Sequence, residues 1–271
     1  MNVNAESATT LRRIGAALFA GILLGAITGT GAALAQQPAT ASAAPSATNE
    51  FDPKAIAALK RMGAYLRTLK TFAVRSEATK DEVLDSGQKI QFSGTVDIHA
   101  RLPDRLRLDV TSDRKQRQIY YDGKSVTQFA PRVGYYASVE APGTIRETLT
   151  VAADKYDLEV PLADLFFWGT DQSGVDDIKS AIDLGPSRID GVECEHYAFR
   201  QVGVDWQLWI ESGKTPLPRK LVITTLDEPS QPQYATVLHW DLKSGGDSRM
   251  YAFVPPKGAR KIVMAPEALA K

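Results

Sequence analysis

The sequence predicts a mainly β, α+β domain: a long, bent, two-faced antiparallel sheet with one N-terminal helix and one helical insertion. Three observations predict it. From Ile90 through Ala100 every even position is apolar or glycine and every odd position is polar, and after Pro103 the alternation resumes with Leu106, Leu108 and Val110 against Arg105, Arg107 and Asp109. A strand turns successive side chains to opposite faces, so such a run meets an apolar interior on one side and water on the other. Second, short alternating runs recur down the chain, punctuated by Asp122-Gly123 and Asp190-Gly191, dipeptides that suit tight hairpin turns. Third, the alternation stops between residues 142 and 180, where apolar residues fall at helical spacing or crowd without period.

The elements follow in order. Asp52 is a good N-cap, Pro53 suits the first helical position, and Phe51 is placed to staple onto Ile56. Ile56, Leu59, Met62, Leu66 and Leu69 then recur at helical spacing, so this amphipathic helix must cover something apolar. Thr71 to Thr79 reads as a strand, Asp85-Ser86-Gly87 as a turn, and residues 88–110 as the long strand pair, with Gly94 allowing a bend. Ile119 to Phe129 reads as a hairpin and Val133 to Val139 as a further strand. Residues 142–180 form the helical excursion, with Ile145, Leu149 and Ala152 at spacings of four and three. Strands return at Ile189. Val204 to Ile210, Leu221 to Thr225 and Tyr234 to Leu242 alternate in turn, which gives about ten strands joined mostly by short turns.

The ends of the chain have a different character. Arg12 and Arg13 precede an apolar run from Ile14 to Ile27, and small residues lead to Ala33-Leu34-Ala35. These are the three parts of a secretory signal peptide, residues 1–35, cut after Ala35. The run is short against the roughly 20 residues of a membrane span. Residues 36–50, rich in Ala, Pro, Ser and Thr, read as a disordered linker, residues 51–263 as the folded domain and 264–271 as a tail. The expectation is a periplasmic protein with peripheral or no membrane association. Lys and Arg total 32 and Asp and Glu 32, so no electrostatic footprint for nucleic acid exists. Cys194 is the single cysteine, so packing rather than an internal disulfide must hold the domain.

No catalytic set stands out: there is no G-x-S-x-G, H-E-x-x-H, P-loop or GxGxxG. In Glu193-Cys194-Glu195-His196 a strand puts Cys194 and His196 on one face and the glutamates on the other. Two ligands fall short of the four of a structural zinc, so neither a metal nor a cofactor is expected, and Cys194 reads as a small buried apolar residue. Phe166-Phe167-Trp168 leaves two readings open, a core plug in an irregular segment or a lid over a hydrophobic pocket.

The order of several short motifs carries a resemblance. Leu102-Pro103-Asp104-Arg105-Leu106-Arg107 is followed by Tyr120-Tyr121-Asp122-Gly123-Lys124 and Gln128-Phe129-Ala130-Pro131. Later come Trp209-Ile210-Glu211, Pro216-Leu217-Pro218-Arg219-Lys220, and Phe253-Val254-Pro255-Pro256-Lys257-Gly258-Ala259. Over Phe51 to Val263 the chain resembles the LolA-like and LppX-like periplasmic lipoprotein carriers, and within them the DUF2092 family of predicted periplasmic proteins. The resemblance implies a strongly curved antiparallel sheet, an unclosed half-barrel, with helices on its concave face over a cavity that takes acyl chains in characterised relatives. It carries over no catalytic or ligand-contact residue.

The expected function is therefore a non-catalytic protein binding a lipid or the acyl group of an acylated protein. Phe92, Val96, Ile98, Leu106, Leu108, Trp206 and Leu208 are expected to line the cavity, and Phe166, Phe167 and Trp168 to sit near its mouth. The alternative is an envelope sensor or interaction module that binds a protein partner through sheet edges or an aromatic patch.

Overall fold

The computed structural model describes residues 51–264 except 157, 159 and 244–246. The expected signal peptide, its cleavage point, the linker through residue 50 and all of the tail after residue 264 lie outside the described residues.

Helix α1 (Pro53–Thr68) starts as expected, with Asp52 as N-cap accepting a hydrogen bond from Lys54 N at 2.8 Å. Phe51 is not folded onto the helix: it stays 54 % exposed and bridges to Ala181 through its backbone. The buried stripe runs through Ala55, Leu59, Met62 and Leu66, one position round from the stripe the bulky residues suggest, leaving Ile56 and Leu69 only partly buried. The long hairpin is β1 (Thr71–Val83) and β2 (Lys89–Arg101), followed by β3 (Arg105–Ser112), β4 (Gln116–Tyr121), β5 (Ser125–Ala130) and β6 (Tyr135–Glu140). The excursion holds α2 (Ile145–Tyr156), the single-turn α3 (Asp164–Phe167) and a 3₁₀ turn (Val175–Asp177). The second half is β7 (Ser180–Ile189), β8 (Val192–Gln201), β9 (Val204–Glu211), β10 (Pro218–Thr225), β11 (Gln233–Asp241) and a final β12 (Arg260–Lys261).

All strands join one sheet in the order β12-β6-β5-β4-β3-β2-β1-β11-β10-β9-β8-β7, antiparallel throughout except for the parallel pair β12 and β6. β12 and β7 are its free edges, so the sheet does not close into a barrel. Laid flat, twelve strands would span about 50 Å, while a 16-residue helix is about 24 Å long. Yet α1 belongs to one continuous core with Val126 of β5 and Ala181 of β7, so the sheet must curl round the helices.

Two strands escape the sequence reading. β7 begins at Ser180, within the stretch assigned to the excursion, and carries Gly185, Pro186 and a bulge between Asp183 and Gly185. Such residues are tolerated there because an edge strand lacks one row of partners. β12 has only two residues and follows Gly258, which adopts φ +86°. The Asp190-Gly191 turn is the tight hairpin expected, with both residues at positive φ. On the outer face Phe253 packs among Tyr120, Phe129 and Tyr136, with ring centroids 5.0–5.4 Å apart, which ties the C-terminal segment to β4–β6.

Candidate functional site

The site is built by cross-strand rows on the inner face. One row runs Arg117–Val110–Val96–Ser76–Leu238, and a second runs Phe92–Lys80–Tyr234. Deeper in the sheet, Ile98 pairs with Leu108 and Val74 and is fully buried beneath the helices. Toward the far end of β1–β4 the helical cover gives out. There the inner face and the Val160-Pro161 segment enclose a partly open cavity of about 170 Å³, with Phe92, Val96, Val110, Val160 and Tyr234 on its walls. Gly94 lies in the wall, and a Cβ on it would stand 2.9 Å from Thr111 O, so a side chain there would crowd β3. Along β1 the inner positions change from Val74, Ser76 and Ala78 to Lys80 and Glu82, and along β4 from Tyr121 and Ile119 to Arg117. The cavity therefore sits where an apolar lining passes into a charged rim of Lys80, Glu82, Arg114, Lys115 and Arg117.

A polar cluster backs the inner wall. Ser76 Oγ and Thr236 Oγ1 share a buried hydrogen bond at 2.7 Å. Tyr234 lies beside them, its hydroxyl buried and without a partner of good geometry. Burial raises the Tyr234 hydroxyl, and the nearby Asp164 carboxyl adds to the rise. Asp164 opens α3, is wholly buried, and leaves Oδ2 without a partner. Burial pushes its carboxyl up to about 7, against the hydrogen bond from its own backbone N–H.

Of the residues expected to line a cavity, Phe92 and Val96 do so. Ile98, Leu106, Leu108, Trp206 and Leu208 share the same continuous core but are filled over by the protein's own side chains. Trp206 is fixed there by stacking on Phe199, centroids 4.2 Å apart, and by donating to Gln201 Oε1 at 3.0 Å. Phe166, Phe167 and Trp168 are all buried and form no part of the cavity wall. Arg67 holds their segment against α1 by donating to Leu165 O at 2.6 Å and Phe166 O at 2.7 Å. Val110 and Tyr234 belong to alternating runs but carry no mark of a cavity in the sequence, and Val160, Pro161 and the basic rim carry none either. Extending the alternation of β1, β4 and β11 would have put Lys80, Arg117 and Tyr234 on the inner face, but their meeting depends on register.

A second depression of about 700 Å³ lies between α1 and the turn after Trp168, with walls that include Lys60, Asp171, Asp176 and Asp177. Among the described residues no three His, Cys, Asp or Glu side chains gather to hold a metal ion. Cys194 is buried, and His196 on the outer face stacks on Trp209 with centroids 3.8 Å apart, burial holding its imidazole below the usual range. No helix among the described residues is long and apolar enough to cross a membrane.

Comparison with solved structures finds likenesses over most of the domain. An uncharacterized conserved protein from Thermus thermophilus aligns with a TM-score of 0.45 at 11 % identity, covering 78 % of this chain and 99 % of that one. LprF from Mycobacterium bovis aligns at 0.42 and 14 % identity over 78 % of this chain and 100 % of its own. The Mycobacterium tuberculosis lipoprotein LppX aligns at 0.42 and 13 % identity over 69 % and 94 %. Likenesses this distant say nothing of a ligand. No curated protein matches the chain. The DUF2092 family model, described as a predicted periplasmic protein, matches residues 55–265, in agreement with the export expected from the N-terminus. The match spans nearly the whole described domain, and the chain belongs to the DUF2092 family of predicted periplasmic proteins.

Proposed function

We propose that this protein is a non-catalytic periplasmic carrier that binds an acyl chain, from a lipid or an acylated protein, in the cavity between β1–β4 and the Val160-Pro161 segment. The observation behind this reading is the apolar cavity itself, left open at one end of a core in which Ile98, Leu106, Leu108 and Leu208 are buried. Its volume of about 170 Å³ is close to that of engineered apolar cavities, roughly 150 Å³, that stay dry and take up benzene. An empty apolar cavity costs about 24 cal/mol per Å³, so filling this one is worth up to about 4 kcal/mol, less what its open side already gives to water. Each buried methylene adds about 0.8 kcal/mol. The space suits the end of a chain, so the remainder of the ligand runs out past the rim.

Native mass spectrometry of the protein purified from periplasm tests the reading. Adducts with the masses of lipids or fatty acids, lost on delipidation and regained on adding lipid, are expected. A protein that is ligand-free throughout and takes up no lipid contradicts it, and recovery of one stoichiometric protein partner instead favours an interaction module.

A further inference from the structure

The rim narrows the chemistry of the ligand. Four basic side chains, Lys80, Arg114, Lys115 and Arg117, line the cavity together with one acidic one, Glu82. This is no reflection of the chain at large, whose Lys and Arg number 32 against 32 Asp and Glu. Glu82 Oε2 is taken by Arg114 at 3.2 Å, and the guanidinium of Arg114 lies 4.3 Å from the centroid of the Phe92 ring. A cation is thereby fixed directly over an apolar wall of the cavity. Lys80 stands between Phe92 and Tyr234 on its row, and Arg117 pairs with Val110. Lys80 and Arg117 are therefore set in the same rows as the apolar walls, and Arg114 and Lys115 lie in the turn that joins β3 to β4. Burial holds the Lys115 ammonium below its usual range, and Arg117 and Arg114 add to the effect against the pull of Glu82. Cations crowded in this way are stabilised by an incoming anion, most of all at the edge of an apolar cavity where the local dielectric falls.

We infer that the ligand is an anionic amphiphile, with its acyl chain against Phe92, Val96 and Val110 and its phosphate or carboxylate among Lys80, Lys115 and Arg117. This rests on the carrier reading above and adds the sign of the headgroup. The rim side chains have interactions of their own, which the anion joins or displaces. Distance along the strands supplies the selectivity: a chain seated in the cavity delivers its headgroup to the rim, whereas a neutral headgroup gains nothing there and leaves the cations partly desolvated.

The experiment is calorimetric titration of the delipidated exported protein, below the micelle concentration, with two lipids of one palmitoyl chain: lysophosphatidylglycerol, which is anionic, and lysophosphatidylcholine, which is zwitterionic. Inorganic phosphate is the third titrant. The anionic lipid is expected to bind about tenfold more tightly or better, with the gap closing as NaCl rises from about 0.05 M to about 0.5 M. Lys115→Gln with Arg117→Gln should narrow the gap, and the charge-keeping pair Lys115→Arg with Arg117→Lys should retain it, thermal unfolding confirming that both variants fold. Equal affinity for the two lipids overturns the headgroup inference and leaves the carrier reading standing. Binding of neither lipid overturns both. Inorganic phosphate binding as tightly as the anionic lipid makes the rim an anion site in which the chain plays no part, and overturns the amphiphile.

Discussion

Gly63 of α1 and Gly169, which follows Trp168, meet backbone to backbone. A Cβ built on Gly63 would stand 2.5 Å from Gly169 N, and one on Gly169 would collide with the Gly63 carbonyl. Four residues along the same helix, Arg67 donates to two carbonyls of the Leu165-Phe166 pair. Together these contacts tie the aromatic segment to α1 and set how much of the concave face the helices cover.

Gly63→Ala should therefore destabilise the protein, against the usual trend. In a helix interior alanine gains about 1 kcal/mol over glycine. Here overpacking costs about 1–3 kcal/mol, and the obstructing atoms are backbone that cannot turn aside. A net loss of up to about 2 kcal/mol is expected from urea unfolding, and a gain in stability would show that the helix and the turn are not in contact.

Arg67→Met should cost about 2–4 kcal/mol, since two partly buried carbonyls lose their donors. Arg67→Lys should recover only part of this, because one ammonium cannot reproduce the fork of a guanidinium. Full recovery by lysine in chemical denaturation would mean that charge, and not the paired donors, holds the segment.

Asp164 sets a pH dependence of known sign. Its carboxyl is raised from 3.8 to about 7 in the folded protein, so the folded state binds the proton more tightly than the unfolded one. The protonated form is fully favourable below about pH 4, and stability falls as pH rises from there to about 7. The loss is at most roughly 4 kcal/mol. Tyr234, the titratable neighbour, stays neutral across this window because its own hydroxyl is raised. Asp164→Asn should flatten the profile and be the more stable protein at pH 8. Thermal unfolding between about pH 4 and pH 8 decides the matter, and parallel curves for the two proteins would contradict it.

Val110→Trp should fill the cavity without disturbing the sealed part of the core, since Val110 is a partly buried wall residue. Lipid affinity should fall at least about tenfold while the midpoint of unfolding stays within a few degrees of the parent. Undiminished binding in this variant would move the ligand elsewhere.

How much of this could be read from the residues depends on whether the signal is local. The alternation in Ile90–Ala100 and Leu106–Val110 fixes which face is inside, and the faces are as expected, with Ile98, Leu106 and Leu108 all buried. The Asp-Gly turns and the α1 cap are equally local signals. β7 lacks such a signal because its Gly185-Pro186 pair and its bulge erase the period, as the edge position permits. The extent to which the interior is filled is not local. Two β-branched apolar residues, two positions apart on one strand, have different surroundings: Val96 lines a cavity and Ile98 a sealed core, and only the end point of the helical cover separates them. The basic rim is hidden for a related reason: Lys80, Arg117 and Tyr234 are far apart in sequence and come together only through the registers of four strand pairs. Asp164 looks like an ordinary surface acid at the start of a short helix, and its burial depends on Arg67 and Gly63 holding α3 inward.

Photo-crosslinking of the delipidated protein with a fatty acid carrying a diazirine near its methyl end tests the central claim most directly, by mass-spectrometric mapping of the labelled peptides. Labels are expected on the peptides that contain Phe92, Val96, Val110 and Val160. Labels confined to the depression beside Trp168 and Asp176, or no specific label at all, would contradict it.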